Sequence, residues 1–158
     1  MNDFSHIDKN GKPLMVDVSE KKLSQRTATA RSIVVLPEEV LDKLMNGDIQ
    51  TKKGAVFQTA IIAGIMAAKK TGELIPLCHP LGLDNCNIDI RLNNHDEVVI
   101  DCTASIEAKT GVEMEALVGA SIAALTVYDM CKAFSHDIVI KETALMKKTG
   151  GKKDFERK

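Results

Sequence analysis

The chain has 158 residues, 44% hydrophobic and 27% charged, and its 21 basic against 22 acidic side chains leave a net charge of −1. That length is about one domain, and the apolar share is enough for a packed core, which sets aside a disordered chain. Near-neutral charge excludes a protein that wraps duplex DNA, and with no Trp, one Tyr and four Phe there is little to stack single-stranded nucleic acid.

In chain order, the opening Met1-Asn2-Asp3-Phe4-Ser5-His6 lacks the basic segment and apolar run of a secretory leader. The longest uninterrupted apolar run, 60–68, is short of the ~18–20 residues that span a bilayer. The expectation is a soluble, cytoplasmic protein with no membrane partner. Residues 1–12 are polar and expected to be flexible, and Asn10-Gly11-Lys12-Pro13 is turn chemistry. Alternation predicts a short strand over 14–18 and a longer one over 26–36. One face of the longer strand carries Thr27, Thr29, Arg31, Ile33 and Val35, and the other Ala28, Ala30, Ser32 and Val34.

Pro37 opens a short helix over 38–45, closed by Gly47. An Ala-, Ile- and Met-rich helix follows over 56–70, with Gly72 placed to cap it. Pro76 and Pro80 forbid regular helix between 75 and 82. Residues 87–107 alternate as a hairpin turning at Asn93-Asn94-His95-Asp96. A third helix over 113–133, a strand over 138–146 and a basic tail over about 147–158 complete a single domain, 1–158.

This order predicts an α+β fold with helices on one face of a mainly antiparallel sheet. The helices around Gly64 and Gly119 are apolar over more of their circumference than one sheet face needs, so part of that surface is expected between subunits. Cys78, Cys86, Cys102 and Cys131 show no Cys-x-x-Cys spacing and read as free thiols. Zinc on Cys78-His79 is disfavoured, because adjacent ligands are an unusual start for a zinc site.

Four polar clusters stand out, each with an ordinary alternative. Lys53-Gly54 precedes a helix whose free N–H groups attract anions, or is a solvated lysine pair with Lys52. Cys78-His79, held between prolines, presents a titratable side chain to a ligand, or buries a His against a backbone carbonyl. Glu113-Met114-Glu115 can accept ligand N–H groups, or simply favours the helix dipole. Asp129 and Lys132, at i and i+3, form a matched acid and base in a shielded cleft, or an exposed surface pair. Glu115 and Asp129 lie on nearly one helical face but ~21 Å apart along the axis. A compact site therefore needs either a long ligand or two chains paired about a twofold axis, and the apolar helix favours the second.

Six stretches carry a resemblance that spans the chain in order: His6-Ile7-Asp8, Met15-Val16-Asp17-Val18-Ser19, Lys53-Gly54-Ala55-Val56-Phe57, Ile75-Pro76-Leu77-Cys78-His79-Pro80-Leu81, Thr110-Gly111-Val112-Glu113-Met114-Glu115-Ala116-Leu117 and Val127-Tyr128-Asp129-Met130-Cys131-Lys132-Ala133. On these the sequence resembles the cyclic pyranopterin monophosphate synthase (molybdenum cofactor biosynthesis protein C) family, the second enzymes of molybdenum cofactor biosynthesis. The resemblance implies a ferredoxin-like subunit in a hexamer of three dimers, with active sites at dimer interfaces. It implies a lyase taking 3′,8-cyclo-7,8-dihydroguanosine triphosphate, a purine-derived triphosphate, to cyclic pyranopterin monophosphate and pyrophosphate. The family's catalytic residues fall on Asp129, Lys132 and Lys53, and its substrate-binding positions on Leu77, Cys78, His79, Met114 and Glu115.

Glu113 joins this set as an acceptor for guanine-type N–H groups, and Lys53, Arg26, Lys148 and Lys152 are expected as cations along the triphosphate. No cofactor and no protein metal cage are expected, beyond Mg2+ accompanying the triphosphate. Ser32 stands where a smaller residue is expected, and the tail after Lys152 departs from the family pattern. Two rival readings are a non-catalytic oligomeric module that binds or assembles purine phosphates, and a Schiff-base lyase using Lys53 or Lys132.

Overall fold

The computed structural model describes residues 5–158, so the expected flexible segment 1–12 begins outside the described residues. A five-stranded antiparallel sheet, in the order β5 (Asn85–Leu92), β6 (Val98–Ala108), β1 (Ser24–Val35), β7 (Val139–Thr149), β8 (Phe155–Glu156), carries two long helices, α2 (Val56–Lys69) and α4 (Glu113–Cys131), on one face. This is the α+β sandwich that the sequence predicts.

The central strand β1 (Ser24–Val35) keeps its alternation: Ala28, Ala30, Ser32 and Val34 are buried under the helices, while Thr27, Thr29 and Arg31 lie on the opposite face. Small side chains at 28 and 30 let helix α4 lie close to the sheet. On the open face Arg31 forks onto Asp101 at 2.7 and 2.8 Å, and Arg91 joins Asp101 at 2.8 Å. Ser32 shares a 2.7 Å hydroxyl–hydroxyl hydrogen bond with Thr143, which satisfies a fully buried polar group.

The helix expected over 38–45 stops at α1 (Glu38–Leu41). Asn46 and Gly47, at φ 52° and 81°, instead close a two-residue hairpin between β2 (Leu44–Met45) and β3 (Asp48–Thr51). Asn-Gly is the dipeptide that tolerates positive φ at both turn positions, so the hairpin wins over helix continuation. A second two-residue loop, Lys52-Lys53, leads to β4 (Gly54–Ala55). Helix α2 (Val56–Lys69) follows as expected, but Gly72 lies inside a further turn, α3 (Thr71–Leu74), and does not cap α2. A Cβ on Gly72 would stand 3.0 Å from the Pro80 backbone, so its smallness serves that close approach.

The hairpin is β5 (Asn85–Leu92) with β6 (Val98–Ala108), and the Asn93 side chain accepts from the His95 and Glu97 amides at 2.9 and 3.0 Å. Helix α4 (Glu113–Cys131) ends two residues before the expected limit. Strand β7 (Val139–Thr149) runs three residues past it, and the tail folds back as β8 (Phe155–Glu156) on Lys147 and Lys148.

The strand expected over 14–18 joins no ladder, because its backbone groups are used elsewhere. The Leu14 amide bonds to the His6 carbonyl, the Val16 carbonyl takes a bond from His79, and the Asp17 side chain turns back to Ser19. Helix α4 is long and apolar enough to cross a membrane by length and composition, which the count of uninterrupted runs overlooked. Half of that stretch is buried inside this protein. Its Gly119 meets Gly64 of α2, where a Cβ on Gly64 would stand 2.7 Å from the Gly119 carbonyl oxygen.

Candidate active site

One cluster lies at the C-terminal end of α4. Lys53 sits in the loop of the β3–β4 hairpin, where the Thr51 hydroxyl accepts the Lys53 amide and donates to the Gly54 carbonyl, both at 3.1 Å. From there its ammonium reaches Asp129 Oδ2 at 3.2 Å, while Lys132 donates to Oδ1 of the same carboxylate at 2.7 Å. All three side chains are about half exposed, at 61%, 52% and 47% for Lys53, Asp129 and Lys132. Lys132 first, then Lys53, hold the Asp129 carboxyl below the usual carboxylate range, and Asp129 in turn pushes the Lys132 ammonium up. At neutral pH the cluster is a carboxylate between two ammoniums.

The N-terminus of α2, read from the sequence as an anion site, already holds an anion of this chain. Asp48 accepts from the Phe57 and Gln58 amides at 2.8 and 3.1 Å. The Lys53 ammonium bonds Asp129 instead, at 3.2 Å.

A second cluster surrounds a pocket of about 270 Å³ at the other end of α4. Leu77, Cys78 and His79 form one wall, and Glu113, Met114 and Glu115 another. The turn that carries Cys78 is closed by its amide on the Ile75 carbonyl at 3.1 Å. His79 Nε2 donates to the Val16 carbonyl at 2.8 Å, which pins the 14–18 segment over the pocket. So His79 takes the structural partner that was its ordinary alternative, at the edge of a cavity. Burial pushes the Cys78 thiol up, and Glu115 adds to it, so this thiol stays protonated.

Glu115 is 3% exposed and makes no ion pair among the described residues. Burial raises its carboxyl pKa, and neighbouring Glu113 raises it further against its own backbone amide. An acceptor desolvated in this way gains most from a ligand N–H. Glu113 differs, being paired with Lys148 at 2.9 Å.

Thr110, Gly111 and Glu113 also line an adjoining cleft of about 510 Å³, which holds Arg26, Lys148 and Lys152. Lys21, Lys22 and Lys109 join them. The sequence does not single out these three; their signal is visible only once the sheet brings residues 21–26, 109 and 148–152 together. The Arg26 guanidinium leans on the Ala108 and Lys109 carbonyls at 3.5 and 3.4 Å. Gly150, at φ 86°, lies directly on the Gln25 backbone, which excludes a side chain there. His6 is a further pocket residue without an assigned task in the sequence reading.

The structure thus gathers the candidates into two groups: Lys53, Asp129 and Lys132 at one end of α4, and the remaining nine at the other. Within one chain they stay ~21 Å apart along the helix. Among the described residues, no three His, Cys, Asp or Glu side chains group to hold a metal ion.

The MoaC family model matches residues 15–151. The chain is 51% identical, over 96% of its length, to "Molybdenum cofactor biosynthesis protein 1" of Dictyostelium discoideum, of which it covers 27%. It is 51% identical, over 98% of its length, to "Molybdenum cofactor biosynthesis bifunctional protein" of Synechocystis, of which it covers 46%. It is also 51% identical to "Cyclic pyranopterin monophosphate synthase" of Xanthomonas campestris, here covering 96% of this chain and 92% of that protein. The chain thus spans less than half of the two longer relatives and nearly all of the third. With its six motifs inside a matching α+β frame, and half of its residues shared along almost its whole length, this chain belongs to the MoaC family.

Proposed function

We propose that the chain is a cyclic pyranopterin monophosphate synthase, a lyase that converts 3′,8-cyclo-7,8-dihydroguanosine triphosphate to cyclic pyranopterin monophosphate and pyrophosphate. The observation that carries this reading is Asp129 held between Lys132 and Lys53 at 2.7 and 3.2 Å. Opening and rebuilding a guanine-derived ring requires protons to be delivered to and taken from ring nitrogens and carbons. A carboxylate beside two ammoniums supplies both partners once a substrate displaces water.

The cationic cleft suits the triphosphate. A substrate hydroxyl attacks the α-phosphorus, the bond to the β-phosphate oxygen breaks, and pyrophosphate leaves carrying the charge that Arg26, Lys148 and Lys152 offset. The 270 Å³ pocket suits the base, with Glu115 accepting its N–H groups. Mg2+ would travel with the triphosphate. The ion pair with Asp129 favours the protonated form of Lys132, which argues against Lys132 as the amine of the Schiff-base alternative.

The two groups meet if the α4 helices of two copies pair antiparallel about a twofold axis, bringing the Asp129 end of one beside the Glu115 end of the other. Ile62, Met66 and Leu125, 60%, 50% and 52% exposed on α2 and α4, supply an apolar surface for that contact. This reading places the enzyme in the cytoplasm as a homo-oligomer, a hexamer built from three dimers.

Mass spectrometry of products formed from the cyclised GTP intermediate tests the activity. Loss of pyrophosphate mass is expected for the native chain, while Lys132→Ala binds substrate without product. Mixing Lys132→Ala with Glu115→Gln subunits tests the shared site. Reassortment leaves one intact site in each mixed dimer, so activity returns to about a quarter of native. No recovery after proven exchange places each site within one chain.

A further inference from the structure

Among the described residues, Asp48 is the only buried acid besides Glu115, at 8% exposed. Its Oδ1 accepts from the Ile49 amide at 2.6 Å and the Phe57 amide at 2.8 Å, and its Oδ2 from the Gln58 amide at 3.1 Å. Three N–H donors and the positive end of α2 compensate for burying the charge. The usual place for such a cap is the residue just before the helix, but Ala55 has no side-chain acceptor.

Capping from Asp48 has a consequence that a local cap would lack. Asp48 begins β3 and Phe57 lies in the first turn of α2, so one carboxylate closes the base of the excursion that contains the β3–β4 hairpin. Lys53 is in the loop of that hairpin, and Thr51 fixes the loop itself. Cys131 of α4 feels this charge: burial first, then the Asp48 charge, push its thiol up to about 11, so it stays neutral.

We propose that Asp48 is a positioning residue for Lys53: it locks the β3–β4 hairpin to α2 and so holds the Lys53 ammonium against Asp129. The proposal rests on the reading of Lys53 as a catalytic group. Asp48 lines neither the base pocket nor the cationic cleft, so its removal takes no group from either. Its loss is therefore expected in kcat and not in KM.

The test uses Asp48→Ala, Lys53→Ala, and the double variant Asp48→Ala with Ala55→Asp, which restores a cap to α2 without a link to β3. The readouts are melting temperature, steady-state kinetics on the cyclised GTP intermediate, and the Asp129 carboxyl titration followed by NMR. The groups facing Asp129 are Lys53 and Lys132, with Tyr128 beside Lys132.

In Asp48→Ala, kcat is expected to fall by about tenfold to a hundredfold with KM within about twofold, the scale for a small misplacement of a catalytic group. The Asp129 midpoint should rise to that seen in Lys53→Ala. The double variant should regain its melting temperature while kcat stays low. Recovery of kcat together with stability, or a native Asp129 midpoint in Asp48→Ala, overturns the positioning role. Full kcat in Lys53→Ala overturns the reading of Lys53 itself, and the NMR arm then still decides whether Asp48 holds its ammonium in place.

Discussion

Lys53 Nζ stands 3.2 Å from Asp129 Oδ2 across 76 positions of sequence, with Lys132 on the other oxygen of the same carboxylate. The carboxylate shields two ammoniums from each other and is held ionised by them. Asp129→Asn should therefore remove proton transfer while leaving the lysines to repel, with kcat down about a hundredfold or more on the scale of general acid–base catalysis. The sign of the pH dependence follows. A depressed folded-state pKa keeps Asp129 charged through neutral pH and weakly acid conditions, and its contribution is lost only as pH falls through that lowered value. The acid limb of kcat, measured on the native enzyme, should lie below the ordinary carboxylate range, and the Asp129 carboxyl titration followed by NMR should move up in Lys132→Ala, which forms no product.

Glu115 is the opposite case. Burial raises its carboxyl pKa, so the folded state holds the proton more tightly than the unfolded chain. Its contribution to stability is greatest at low pH and is lost as pH rises from the unfolded pKa toward the raised folded one. Glu115→Gln removes the buried charge and should melt higher than native at pH 7, with the difference vanishing near pH 4. Each kcal/mol gained is worth about 2–4 °C in a domain of this size. Activity should fall in the same variant, because an amide presents an N–H where the substrate needs an acceptor.

The cleft around Arg26 gathers five lysines and one arginine against Glu113. Arg26→Ala and Lys152→Ala should raise KM by about tenfold each, the worth of one charge-assisted hydrogen bond, with kcat nearly unchanged. Pyrophosphate inhibition should weaken in parallel, and raising the salt should weaken substrate binding more in the native enzyme than in either variant. Isothermal titration with pyrophosphate at two ionic strengths measures this directly.

Gly64 and Gly119 set the distance between α2 and α4. A Cβ on Gly64 would run into the Ile88 side chain and stand 2.7 Å from the Gly119 carbonyl oxygen; one on Gly119 would meet Cys102 Sγ at 2.5 Å. Gly64→Ala should cost about 2–3 kcal/mol, because backbone has to move, and Gly119→Ala about 1–2 kcal/mol, because a side chain gives way. Urea titration of both variants orders them.

The sequence by itself determined the long elements. Helices α2 and α4, strand β1 and the β5–β6 hairpin follow from hydrophobic period and turn chemistry within a few neighbouring residues, and the six motifs named the family. The Asn46-Gly47 hairpin was equally legible from its dipeptide and was read instead as a helix stop. Only the tertiary structure decided that residues 14–18 would lack a ladder, since their hydrogen bonds go to His79 and to local turns. Nor could spacing reveal β8 on Lys147 and Lys148, the cations at 21, 22 and 109 beside Arg26, or Asp48 under α2. The pairing of Lys53 with Asp129 belongs to the same set. Local hydrogen bonding and periodicity are short-ranged and written in consecutive residues, whereas these contacts join groups far apart in the chain and exist only where packing on one sheet face brings them together.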